Sequence, residues 1–251
     1  MEIFSVSTPR VERHPPGAVQ DWVCDSLQDA DHFLKDGDIL FVSAKLISYF
    51  EDRIVELESV QLSDEGRSIA SQMNAADPRL IQLVMNEADK LVKVTPWVLL
   101  TIKDGIYSAN AGVDTSNVEE GFAVLWPEDS FRSAEQLRQV LMERFSLKTF
   151  GVVIVDSCCV PGRIGTMGVA IGYCGLRGYD DLKGSMDLFG NVLRYSSLNI
   201  VDSLATAANV VMGESADAKP LVIVREFDFE SVQVTKKDEM LIPPSDDLYQ
   251  L

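Results

Sequence analysis

The sequence predicts an α+β or mixed α/β fold. Two stretches, Asp38–Ser43 (DILFVS) and Gly151–Val155 (GVVIV), are short, apolar and rich in β-branched residues, the pattern of buried strands. Other stretches, such as Arg79–Val94, place apolar residues at helical spacing. The two kinds of segment mix without strict βαβ alternation.

Taken in order, the turn Lys35-Asp36-Gly37 introduces the strand Asp38–Ser43. Ser63–Met73 reads as a helix, and Arg79–Val94 as a clearer one, with Leu80, Leu83, Val84, Leu91 and Val92 on its apolar face. Trp97–Ile102 and Ile106–Asn110 flank Asp104-Gly105, a dipeptide that favours a tight hairpin turn. Phe122–Trp126 is a further strand. Ser133 and Gln136 have the spacing of a capping box, opening a helix whose Leu137, Val140, Leu141 and Phe145 face inward. After Gly151–Val155 a glycine-rich loop is expected, then a strand at Val169–Tyr173, a helix at Asp202–Met212 and a late strand at Leu221–Arg225. Pro243-Pro244 opens a polar tail. No repeat, linker or low-complexity segment marks a domain boundary, so residues 1–251 are expected to form a single unit.

Composition excludes several classes of function. With 46 % hydrophobic and 24 % charged residues, the 251-residue chain is ordinary globular protein. Its 39 acidic residues against 22 basic give a formal charge of −17, a field that repels nucleic acid. A small anionic substrate would need a metal or a local basic pocket to offset that field. Four cysteines (Cys24, Cys158, Cys159, Cys174) make neither a zinc spacing nor a disulfide framework, and two histidines poorly supply a triad. No apolar run reaches membrane-spanning length, and the first residues do not resemble a signal peptide. A reducing cytoplasm is the expected compartment.

No phosphate-binding GxxxxGK sequence is present, nor a GxGxxG after a strand, which leaves carboxylate chemistry. Asp114 lies in Asn110–Asn117 (NAGVDTSN), where small residues allow close approach and Asp, Thr, Ser and Asn offer hard oxygen donors. The same residues also read as an Asx turn leading to a helix cap. Asp156, at the end of GVVIV and followed by Ser157, sits where a magnesium or manganese ligand is common, and equally where an N-cap is common. Cys158–Gly175 carries five glycines and the basic Arg163, a composition suited to a phosphate or carboxylate cradle or simply to a loop. Met212–Asp217 (MGESAD) ends a helix, either as solvated acids or as ligands.

These segments together resemble one family. NAGVDTSNVEEG (Asn110–Gly121) is very close to the Asn-Ala-Gly-Ile/Val-Asp-x-Ser-Asn-Val motif of F420-0:gamma-glutamyl ligases. Gly37–Leu57, Ala76–Ala88, Val152–Gly175 and Asp181–Glu214 resemble further family segments in the same order, and so does the terminal PPSDDLYQL. The resemblance covers nearly the whole chain.

It implies interlocked lobes with mixed sheets, usually in a homodimer, with GTP and two divalent cations (Mg2+ or Mn2+) in a cleft. Asp114 and Asp156 match ligands of the first metal, and Ser157 and Glu214 match positions on the second. Ser43, Ala44, Asn117 and Met212–Lys219 (with Gly213, Ser215, Ala216 and Asp217 among them) match nucleotide contacts, as Thr8–Val11 do through a weaker alignment. The implied reaction activates an acceptor carboxylate as an acyl phosphate, which the amine of L-glutamate displaces. The acceptor would be F420-0 or a similar carboxylate. Other readings are a glutamate ligase acting on a folate or a protein carboxylate, and a non-catalytic nucleotide-binding homologue. Two departures stand out. A family lysine is Tyr49 here, and a family arginine is Val160, leaving Arg163 as the one basic residue of that loop and the expected contact to the acceptor.

Overall fold

The computed structural model describes residues 1–28, 33–74, 76–243 and 245–247. His32 and most of the C-terminal tail, Pro244 included, lie outside these. The fold mixes helices with antiparallel and parallel strand pairs, as expected.

A five-stranded sheet carries the architecture. It is built from β1 (Glu2–Val6), β2 (Ile39–Ser43), β8 (Gly151–Cys159), β9 (Thr166–Cys174) and β12 (Leu221–Arg225), in the order β1-β12-β2-β8-β9. Only β2 and β8 run parallel. Both faces are covered, which is why these strands read as continuous apolar runs rather than alternating ones. Leu40, Val42, Val152, Ile154, Leu221 and Ile223 point to one face, against α1 (Val19–Gln28) and α5 (Ser130–Phe145). The intervening Ile39, Phe41, Val153, Val155, Val222 and Val224 point to the other, where α6 (Ile200–Met212) lies. A short helix, α2 (Ala44–Phe50), follows β2 without a break.

A second, smaller core sits beside this sheet. It gathers α3 (Asp64–Ala70), α4 (Pro78–Glu87) and the meander β4 (Lys90–Val94), β5 (Leu99–Lys103), β6 (Ile106–Ala109) around Ile81, Val84, Leu99 and Ala111. The strand pair β3 (Ile54–Glu56) with β7 (Phe122–Val124) joins it to the main sheet, and β10 (Tyr179–Asp181) pairs with β11 (Ser197–Asn199) at the periphery.

Four expectations are corrected. The helix expected over Arg79–Val94 stops at Glu87, because Ala88 turns extended and Lys90–Val94 pairs with β5. Leu91 and Val92 matched a helical period by coincidence. Asp129, not Ser133, caps α5, its Oδ1 accepting from Arg132 N at 3.0 Å, while the Ser133 hydroxyl donates to Glu51. The glycine-rich loop expected after Val155 is mostly strand, with only the tip near residues 160–165 turning. Gly162 and Gly165 serve that turn with positive φ, whereas Gly168 and Gly172 within β9 serve packing. A Cβ on Gly168 would meet the Ala205 carbonyl oxygen at 2.3 Å, and one on Gly172 would lie 2.4 Å from the Ser130 backbone. Finally, β1, α1, α2, β3, β10 and β11 carry no counterpart among the expected elements.

Candidate functional site

A cleft of about 470 Å3 opens where the C-terminal ends of β2 and β8 meet the loops after β6 and α6. Ligands of open α/β sheets bind at this end of parallel strands. Its lining includes Ser43, Asp114, Asn117, Asp156, Ser157 and the whole of Met212–Lys219, together with Thr8–Val11. Of the residues expected at a site, Ala44 and Arg163 are not in the lining. Ala44 is 2 % exposed in the core, and Arg163 is exposed at the tip between β8 and β9.

Asp114 is held by the backbone before its side chain acts. Asn110, Ala111 and Gly112 all take positive φ (54°, 52° and 70°), curling the chain back after β6. Asn110 Oδ1 accepts from Leu99 N at 2.9 Å, and Ala111 N donates to Thr101 Oγ1 at 2.7 Å. Asp114 then exchanges two backbone hydrogen bonds with Val124, at 2.9 and 2.8 Å. Its carboxylate accepts from Ser116 N (2.8 Å), Ser116 Oγ (2.6 Å) and Lys45 Nζ (2.7 Å). Desolvation opposes ionisation of Asp114, but the Lys45 ammonium and the Ser116 bonds outweigh it, so the carboxyl lies below its usual range. The local geometry is thus an Asx turn, as one reading of the motif had it, and it aims the carboxylate into the cleft.

Asp156 is presented differently, from within β8 rather than as an N-cap. The β8–β9 register slips at Ile171, the extra residue lying on β9, so β8 keeps its alternation and Asp156 falls on the same face as Val152 and Ile154. The Trp126 indole Nε1 donates to Asp156 Oδ2 at 2.6 Å. Gly112 makes room for that indole, since a Cβ there would lie 2.1 Å from Nε1. The Asn-Ala-Gly motif therefore places Asp114 directly and Asp156 through Trp126. Burial pushes the Asp156 carboxyl up to about 6, against the Trp126 and Ser157 N–H groups and the nearby Lys45, with Asp114 adding to the rise.

Beyond α6, Gly213 closes the helix at φ 79° and the loop folds onto Asp217, which accepts from Ser215 Oγ at 2.9 Å. Glu214 accepts from Asn209 Nδ2 at 2.6 Å. Asn117 ties the two loops across the cleft, its Nδ2 donating to Ser215 O at 3.1 Å, and Tyr49 OH donates to Asn117 O at 3.0 Å. Tyr49, where the resemblance led to the expectation of a lysine, contributes a neutral hydrogen bond to this rim.

Among the described residues no three His, Cys, Asp or Glu side chains converge into a complete metal-binding cluster. Asp114 and Asp156 nevertheless suit a divalent ion. They are electrostatically coupled, one is enclosed enough to resist ionisation, and a lysine ammonium offsets both. Magnesium-like ions are commonly bound by one or two carboxylates, the rest of the shell coming from water and substrate phosphates. Two contributors escaped sequence reasoning. Lys45 had one signal, a cation in the first turn of a helix, where the dipole disfavours it. Trp126 had another, an indole N–H near the end of a strand that needs an acceptor.

The cleft thus brings two carboxylates and a lysine together at one end of the central sheet of a mixed α/β fold. Residues 7–226 match the F420-0:Gamma-glutamyl ligase family, and the chain belongs to it. Its relatives are ligases. The coenzyme F420:L-glutamate ligase of Methanocaldococcus jannaschii is 38 % identical over 78 % of both chains. That of Methanopyrus kandleri is 34 % identical over 86 % of this chain and 87 % of its own. The Methanosarcina barkeri enzyme is 34 % identical over 90 % of this chain and 86 % of its own. No helix among the described residues is long and apolar enough to cross a membrane.

Proposed function

We propose that the protein is a GTP- and divalent-metal-dependent ligase that joins L-glutamate to the carboxylate of F420-0 or a similar acceptor. The observation that carries this reading is the meeting of Asp114, Asp156, Ser157 and Glu214 with the Met212–Lys219 loop on one cleft, in a chain of this family. A carboxylate is a poor electrophile and needs a leaving group. An acceptor carboxylate oxygen attacks the γ-phosphorus, the bond to the β-phosphate oxygen breaks, and GDP leaves. The glutamate amine then attacks the acyl carbon, the acyl–oxygen bond breaks, and inorganic phosphate carries off the electron pair while the amine proton passes to solvent.

Lys45, Arg10 and Lys219 are the cations that the chain itself offers to phosphate oxygens in the cleft. Divalent ions held by Asp114, Asp156, Ser157 and Glu214 would supply further charge neutralisation at the transferring phosphoryl group. Asn117 and Tyr49 tie the rim of the cleft, against which a nucleoside would rest.

The test is mass spectrometry of F420-0, a folate and a carboxylate-bearing peptide, each incubated with L-glutamate, Mn2+ and GTP or ATP. One acceptor is expected to gain glutamyl mass only when nucleotide is present. Nucleotide binding with no mass change on any acceptor would leave the non-catalytic homologue as the correct reading. Acyl phosphate chemistry uses no thiol, and burial raises the Cys158 thiol above its ordinary value, so it is poorly suited as a nucleophile. The Cys158→Ser/Cys159→Ser double variant is therefore expected to transfer glutamate within about twofold of wild type. Loss of transfer in a folded double variant would favour a thioester route.

The cytoplasm and a homodimer belong to the same reading. Leu188 and Phe189 are 100 % and 91 % exposed on the arm between β10 and β11, and Ile164 is fully exposed at the β8–β9 tip. Apolar side chains bared in this way suit burial against a second copy. A monomer at micromolar concentration in sedimentation velocity would overturn the dimer.

A further inference from the structure

The cleft already contains a cation of its own. Lys45 Nζ lies 2.7 Å from Asp114 Oδ2, 2.7 Å from the Ser116 carbonyl oxygen and 3.2 Å from Ser116 Oγ. A carboxylate, a carbonyl and a hydroxyl converging on one point are the hard oxygen donors that a magnesium-like ion takes. The lysine side chain is only 23 % exposed, so its ammonium has given up much of its water to sit there. Its place in the first turn of α2 opposes the helix dipole, so helix stability does not account for it. Of the three cations in the cleft lining, Lys45 is the one that bonds Asp114 and favours the ionised form of Asp156.

We propose that Lys45 is a built-in counter-ion: it fills the cation position on Asp114 while the cleft is empty, and yields it to the divalent ion that arrives with the nucleotide. This rests on the metal- and nucleotide-dependent reading above. Released from Asp114, the ammonium remains in the cleft lining, where phosphate oxygens are its natural partners. The consequence is ordered loading. A divalent ion alone must expel a charge-assisted, partly buried lysine and binds weakly. The same ion with a nucleotide binds well, because the phosphates take up the displaced ammonium. Lys45 thereby couples metal to nucleotide and discourages occupation by metal alone.

Direct binding separates this from a merely structural lysine. Mn2+ binding would be followed by the electron paramagnetic resonance of free Mn2+, with and without a non-hydrolysable GTP analogue, on wild type, Lys45→Met and Lys45→Arg. Methionine keeps most of the stem, and thermal melting checks that the variant folds. Without nucleotide, Lys45→Met is expected to bind Mn2+ about tenfold more tightly than wild type, and its affinity for the analogue is expected to fall by about tenfold. Lys45→Arg, which keeps the charge, is expected to retain the weak nucleotide-free Mn2+ binding. Adding Asp114→Asn to Lys45→Met should abolish the gain. If wild type binds Mn2+ with the analogue but Lys45→Met binds Mn2+ alone no more tightly than wild type, the counter-ion role is overturned. If wild type binds no Mn2+ under either condition, the metal-dependent reading falls and takes this inference with it.

Discussion

Asp156→Asn is expected to reduce glutamate transfer by about a thousandfold or more, the scale seen when one group stabilising transition-state charge is removed. An amide keeps the shape and can still accept from Trp126 Nε1, but it loses the negative charge that would hold a cation. The same change should stabilise the protein in the absence of metal. Burial raises this carboxyl from an ordinary 3.8 to about 6, so the folded state binds the proton more tightly than the unfolded one. Stability from this group is therefore fully present below pH 3.8 and lost as pH rises toward 6. Above that, ionised Asp156 costs the metal-free protein at most about 3 kcal/mol. In a chelator at pH 7.5 the Asn variant should melt higher than wild type, and the difference should vanish near pH 4. Near-normal activity in manganese-limited buffer would remove the metal assignment, and a melting point below wild type at pH 7.5 would refute the burial argument.

That opposition of stability and function also explains which parts of the site could be read from residues alone. Asp114 was readable because its motif is local: three consecutive positive-φ residues and an Asx turn are written in Asn110–Ser116. Asp156 was readable as the polar break after an apolar run. Trp126 and Lys45 were not, because each works through a partner far along the chain, 30 residues from Asp156 and 69 from Asp114. The glycines of β9 misled for a related reason. A glycine that lets a helix pack on a strand looks the same in sequence as one that lets a loop turn, and only the Ala205 and Ser130 backbones distinguish them. Arg163 was placed by its neighbours in the motif, and a β-hairpin carried it out of the cleft. The strands of the central sheet were recovered where both faces are apolar. β1 was missed because it is an edge strand of five residues, Glu2–Val6, of which only Val6 is buried.

The far end of β2 carries the largest expected effect on folding. Asp38 is 0 % exposed, yet it is a carboxylate, and such a group requires partners. Arg225, the last residue of β12, supplies a bidentate pair, Nε to Oδ1 at 2.8 Å and a second guanidinium nitrogen to Oδ2 at 2.7 Å. That same nitrogen donates to the Phe33 carbonyl at 2.7 Å, and Lys35 N donates to Asp38 Oδ2 at 2.8 Å. The guanidinium also lies 5.4 Å from the centroid of the Phe4 ring. One ion pair thus fastens β1, β12 and the turn entering β2. Arg225→Met keeps the apolar stem but leaves the Asp38 carboxylate, among the described residues, with the Lys35 backbone donor alone. Removing one partner of a buried pair costs about 3–5 kcal/mol, which for a chain of this size lowers the melting temperature by roughly 10 °C. Asp38→Asn alone should cost less, and the double variant should be more stable than the sum of the two, because the stranded charge is gone. The cleft lies at the opposite end of β2, roughly 17 Å away for a five-residue strand, so the Michaelis constants measured well below the melting point should match wild type. A melting temperature within about 2 °C of wild type for Arg225→Met would mean that water reaches Asp38 and that the pair does not hold this edge of the sheet.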